Sequence, residues 1–147
     1  MTRPYRFPLD RVLDYRQQLE DQAKLQVARA RLAYTEQVER VQAVRRDIEA
    51  HEAALSADKE PSADEMWLWR LYRDRLAQDL QEAEQRMLTL AQELSRRQRE
   101  AVSRAKDRKI LDKLKTNQKL RHVQEEQRRE QNEFDEIATV RRQPQNH

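Results

Sequence analysis

The sequence predicts an all-α fold. Two long helices form an antiparallel coiled-coil hairpin, with the second helix longer and overhanging the first. Three observations carry this reading. Apolar residues recur every seven positions at Val27, Tyr34, Val41, Ile48 and Leu55, and again at Leu80, Met87, Leu94 and Ala101. Glycine is absent and 39% of residues are charged. A short break containing Pro61 separates the two seams. A heptad repeat keeps an apolar stripe on one side of a helix. A chain without glycine lacks the residue best suited to left-handed turns.

Helix 1 is expected from about residue 8 to about residue 57. Pro8 suits a first helical turn, where its missing N–H costs nothing. Asp10 and Asp14 lie near the positive end of the helix dipole. Leu9, Val12, Leu13, Leu19 and Ala23 lead into the seam, whose intermediate positions are Ala30, Gln37, Val44 and His51. The turn is expected at about 58–62, because Pro61 interrupts a continuous helix. Ser62 followed by Glu65 is a capping-box signature for a new start. Helix 2 is expected at about 62–140, ahead of Pro144 and a frayed tail over 141–147. The whole chain, 1–147, then reads as a single coiled-coil hairpin.

A tight reversal brings together residues whose numbers sum to about 120. Ile48 then meets Tyr72, Val44 meets Leu76, Val41 meets Leu80, and Gln37 meets the small Ala83. This agreement favours a hairpin over a straight parallel dimer. The same register sets Leu9 near Leu111 and leaves nothing of helix 1 to cover residues beyond about 115. Helix 2 would project roughly 35 Å past the start of helix 1. Leu120, Val123, Phe134, Ile137 and Val140 continue an apolar stripe there, and such a stripe marks a partner surface.

Composition narrows the function classes. Apolar residues are 37% and aromatics 5%, enough for a narrow helical seam but not for a thick core. A mean hydropathy of −1.20 would also suit a disordered chain, but disorder gives no reason for a seven-residue repeat. Thirty bases against 27 acids leave a net charge of +3, too balanced to identify a nucleic-acid binder. The absence of cysteine excludes a disulfide scaffold, a thiolate nucleophile and a Cys-based zinc site. No secretory signal and no membrane-spanning run is legible, so a soluble, intracellular chain is expected.

Catalysis finds little support. Without glycine there is neither a phosphate-cradling loop nor a nucleophile elbow. His51 and Glu52 resemble half of a zinc-protease helix motif, but Leu55 stands where the second histidine is needed. His122 and Glu126 are spaced to pair on a helix, which is a weak metal or acid–base signal. No enzyme activity, metal or cofactor is expected.

Charge is uneven along the chain. From Asp47 to Glu65 there are seven acids and one base, and from Arg96 to Arg121 eleven bases and three acids. The basic stretch lacks the interleaved aromatics that stack on single-stranded bases. Trp67, Trp69, Leu71 and Tyr72 form the aromatic cluster, and at least one tryptophan should be exposed.

Arg6-Phe7-Pro8-Leu9-Asp10-Arg11-Val12-Leu13-Asp14-Tyr15-Arg16, the charged heptads, and Glu133-Phe134-Asp135-Glu136-Ile137-Ala138 resemble the flagellar export protein family FliJ over essentially the whole chain. The resemblance implies a cytoplasmic stalk at the face of the flagellar export apparatus. Its implied partners are the hexameric export ATPase (FliI-like), the cytoplasmic domain of the export gate (FlhA-like) and export chaperones. Nucleic acid is not an expected partner, and any membrane association runs through partners. For the gate, the resemblance implies Gln37, Val41, Val44, Ile48, Tyr72, Leu76 and Ala83; several of these are seam residues, and the flank positions Val38 and Trp69 join them as better placed to meet a partner. For the ATPase ring it implies Phe7, Arg11, Lys113, Arg121, Phe134, Asp135, Glu136 and Ile137. Two alternatives stand beside the stalk: an export chaperone or chaperone escort using the overhanging stripe, and a nucleic-acid-binding coiled coil using the basic shaft.

Overall fold

A computed structural model describes residues 3–57 and 60–142. It contains two helices, α1 (Asp10–Ala57) and α2 (Ala63–Arg142), of 48 and 80 residues. The fold is the all-α helical hairpin that the heptads predict.

The helix ends follow local chemistry. Asp10 N–H donates to the Phe7 carbonyl at 3.2 Å, and Leu13 N–H donates to the Leu9 carbonyl at 2.9 Å. Pro8 therefore sits in a turn ahead of α1 rather than in its first turn, and the helix begins at Asp10. At the start of α2, Glu65 N–H donates to the Ser62 hydroxyl at 3.2 Å. Ser62 N–H donates back to the Glu65 carboxylate at 3.4 Å. This reciprocal pair is the capping box, and it satisfies two amides that the first helical turn would otherwise leave orphaned. Asp58 and Lys59, within the expected turn, lie outside the described residues, as does Pro144. α2 runs through Arg141 and Arg142, into the expected tail, and its last turn is basic, as the dipole favours.

The chain divides into two compact units, Asp21–Val102 and Met1–Glu20 with Ser103–His147. Asp21–Val102 is paired through the apolar heptads. Ala23, Val41, Leu76 and Ala83 are buried. Val27, Ala30, Tyr34, Val44, Ile48, Leu80, Met87, Leu94 and Ala101 are half-buried, as expected where each helix has only one neighbour. Gln37 fits because its side-chain amide donates to the Ala83 carbonyl at 2.9 Å, across from a residue too small to fill the layer. Leu55 leaves the pattern: it is exposed although it keeps the heptad spacing.

The unit of Met1–Glu20 and Ser103–His147 is held differently. Its buried residues are Phe7, Leu13 and Glu20. Glu20 is only 2% exposed and accepts from the Arg108 guanidinium, which also reaches Asp112. Arg16 pairs with Asp107 at 3.4 Å, and Lys115 with Asp10 at 2.8 Å. The Asp10–Lys115 pair, together with an exposed Leu9, displaces the partner of this end by about one helical turn from the expected Leu9–Leu111 match. Long charged side chains set the pairing here, where a seam of leucines would have set it further along.

Beyond about residue 115, where helix 1 is expected to leave α2 without cover, Leu120 and Val123 stay exposed but the chain ahead of helix 1 makes contacts. The segment ahead of α1 lies along α2 as a strap. Tyr5 donates its hydroxyl to Gln118 at 3.2 Å. His122 Nε2 donates to the Arg3 carbonyl at 2.9 Å, and the Tyr5 and His122 rings are 5.5 Å apart. Non-helical chain spans more length per residue than helix, so a few residues ahead of Asp10 reach two turns of α2. From Gln127 to Arg142 every residue is exposed.

Candidate functional site

No helix among the described residues is long and apolar enough to cross a membrane. The features that can act are surfaces, one set in each unit.

In Asp21–Val102, the residues that the sequence resemblance implies for a gate divide by burial. Val41, Leu76 and Ala83 are buried in the seam and present no side chain outward. Gln37 is occupied with Ala83, and Val44 and Ile48 are half-buried beside it. Val38 and Trp69 are half-buried flank residues, and Tyr72 is exposed. His51 joins this group. Its Nε2 donates to the Trp69 carbonyl at 3.0 Å, and its ring meets Tyr72 edge-on at 4.8 Å and Trp69 at 6.3 Å. The histidine that the sequence offers as half a zinc motif is a packing residue that orients two aromatics. Trp67 is 62% exposed, and Leu68 and Leu71 are exposed with it, one and four residues further along the helix.

Several charges of this unit are paired. Arg45 bonds Glu84 at 2.9 Å across the two helices. Arg96 and Arg97 both bond Glu93, at 2.7 and 2.9 Å, and together hold its carboxyl below the usual carboxylate range, Arg96 contributing most.

In the other unit, the residues that the sequence resemblance implies for a ring also divide. Phe7 is 4% exposed, so its ring is consumed by the strap's own packing. Arg11, Lys113, Arg121, Asp135 and Glu136 are exposed, as are Phe134 and Ile137. Several bases of this stretch serve the fold. Hydrogen bonding to Asp10 raises the Lys115 ammonium above its ordinary pKa, and Glu20, then Asp112, do the same for the Arg108 guanidinium. Lys106, Lys109, Lys113, Lys119 and Arg121 face solvent. Where the strap ends, Arg3, Tyr5, Lys119, His122, Val123 and Glu126 line a groove of about 340 Å³. His122 is bound to Arg3 and Glu126 lies 3.5 Å from Arg129, so the paired spacing of His122 and Glu126 is explained by two different partners.

Sequence patterning did not single out Glu20 or the strap, whereas it already placed His51 at an intermediate seam position. Glu20 stands seven residues before Val27, and Arg108 seven after Ala101, so the heptad spacing marks both. Nothing in periodicity marks the strap, because it is not helical.

The family described as "Flagellar FliJ protein" matches residues 5–146. No curated protein matches the chain. Among solved structures, that of a putative YscO homolog, CT670, from Chlamydia trachomatis is similar, with a TM-score of 0.59 and 21% identity over 93% of this chain and 94% of that one. At that identity the likeness speaks to the fold.

Proposed function

We propose that this chain, which belongs to the flagellar FliJ protein family, is the stalk and adaptor of a flagellar export apparatus. As a family member it is a type III export-associated protein. In the proposed role it works without catalysis, in the cytoplasm. It inserts into the ring of the hexameric export ATPase, promotes ring assembly and links the ring to the cytoplasmic domain of the export gate. Export chaperones are further partners.

One observation carries the ring contact. From Gln127 to Arg142, α2 is exposed on all sides yet bears Phe134, Ile137 and Val140. Apolar groups of this size on a bare helix gain most by entering a partner surface, at about 25 cal/mol per Å² buried. A rod end entering a ring meets partner atoms all round, which suits a helix exposed all round. Of the ring-facing residues, Arg11, Lys113, Arg121, Phe134, Asp135, Glu136 and Ile137 are accessible for this contact, and Phe7 supports it from within. For the gate, the accessible group is Val38, Trp69 and Tyr72, with the buried Val41, Leu76 and Ala83 holding the helices that carry them.

The test is the ATP hydrolysis rate of the purified export ATPase with and without this protein, together with co-sedimentation. Stimulation and co-sedimentation are expected. Absence of both ends the stalk reading. Binding to plain duplex DNA with a steep salt dependence would favour the nucleic-acid alternative instead.

A further inference from the structure

The exposed end of α2 carries more than an apolar stripe. Glu126, Glu130, Glu133, Ile137 and Val140 follow at alternating steps of four and three residues, with Phe134 beside them, so they share one helix face. Phe134 is 71% exposed, Val140 70% and Ile137 51%. Glu130 and Glu133 are exposed on the same face. From Gln124 to Val140 there are six acids and two bases, whereas from Ser103 to Arg121 there are two acids and eight bases. The sign of the helix therefore reverses ahead of Phe134, Ile137 and Val140, although Ile110 and Leu120 are already exposed within the basic stretch and Arg141 and Arg142 follow.

We propose that this face docks on a protein surface that is apolar at its centre and rimmed with lysine or arginine. The inference rests on the ring-docking reading above and specifies the chemistry of its socket. Covering Phe134, Ile137 and Val140 also strips water from Glu130 and Glu133. A carboxylate desolvated without a partner is costly, and one facing an acidic wall more so. The exposed Lys106, Lys109 and Lys113 ask for the opposite lining. A ring that accepts this end thus offers two tiers, acidic opposite the lysines and basic opposite the glutamates. Their centres are separated by about 30 Å of helix at 1.5 Å per residue.

The experiment measures binding of the intact chain to the purified export ATPase. Wild type is compared with Glu130→Lys/Glu133→Lys, with Glu130→Gln/Glu133→Gln, and with Phe134→Ala/Ile137→Ala. All these positions are exposed, so circular dichroism should be unchanged. The charge reversal should weaken binding about tenfold or more, and the neutral pair by less. Phe134→Ala/Ile137→Ala should weaken binding with the salt dependence retained. Equal or tighter binding by Glu130→Lys/Glu133→Lys, with wild type binding normally, overturns the inference alone. Failure of wild type to bind the ATPase overturns the ring reading and the inference with it. Sedimentation of the chain alone covers a second copy as the occupant. Concentration-dependent dimers abolished by the same charge reversal would assign the face to self-association and overturn the proposal.

Discussion

The chain has two phenylalanines, and the structure sets opposite expectations for them. Phe7 is buried in the strap while Phe134 stands in solvent. Replacing a buried phenylalanine with alanine costs about 3–5 kcal/mol in a closed core. The strap is a single layer on one helix, so the lower end, about 3 kcal/mol, applies to Phe7→Ala. That corresponds to roughly a hundredfold increase in the opening equilibrium of the unit that holds it. Phe134→Ala removes contact with water alone and should stay within about 0.5 kcal/mol. Hydrogen exchange resolves the difference, because amides of α2 in the Ser103–His147 part exchange through opening of that unit. In Phe7→Ala, the amides from Leu111 to Val123 should exchange about a hundred times faster, while those of Asp21–Val102 hold their rates. A change below about threefold at Leu111–Val123 would refute the strap's packing role.

Other outcomes follow from the same contacts. Ser62→Ala breaks the capping box and should destabilise the start of α2 by about 1 kcal/mol, with Ser62→Thr restoring most of it, read by urea unfolding. Leu76→Ala should cost about 2 kcal/mol or more, and Trp67→Ala less than about 0.5, read the same way. Because Asp10 raises the Lys115 pKa, the stabilising contribution is fully present below the ordinary lysine value and is lost as pH rises through the folded-state value. Lys115→Met should therefore flatten the alkaline limb of a thermal-stability profile. Replacing the buried pair by Glu20→Leu/Arg108→Leu should raise the melting temperature, since a buried ion pair recovers little of its desolvation cost. If it lowers the melting temperature, the pair is net stabilising.

The legibility of this fold tracked the chemistry of its seam. From Val27 to Ile48 the buried side chains are apolar, and a repeat of seven is visible by inspection. Gln37 opposite Ala83 was legible too, because a long polar side chain beside a small one leaves room for an amide to reach a carbonyl. Beyond the apolar heptads the same spacing continues in Glu20, Arg108, Lys115 and His122, but charged residues read as solvent-facing. The pair with Arg108 buries Glu20, which hydropathy assigns to the surface. Leu55 failed in the other direction: its spacing is right, but it is exposed. Phe7 was assigned to a partner by the family resemblance, and periodicity offers no intramolecular contact for an aromatic ahead of a helix. The bare end of α2 was legible because helix 1 leaves no cover for it in sequence, and the fully exposed stretch begins after Glu126.

The central claim is that the bare end of α2 is the docking segment for the export ATPase. Hydrogen exchange of the full chain, alone and mixed with the ATPase, tests it most directly. The account predicts that amides from Leu120 to Val140 become protected on mixing, most strongly around Phe134 and Ile137. Unchanged exchange there, with protection appearing only within Asp21–Val102, would contradict it.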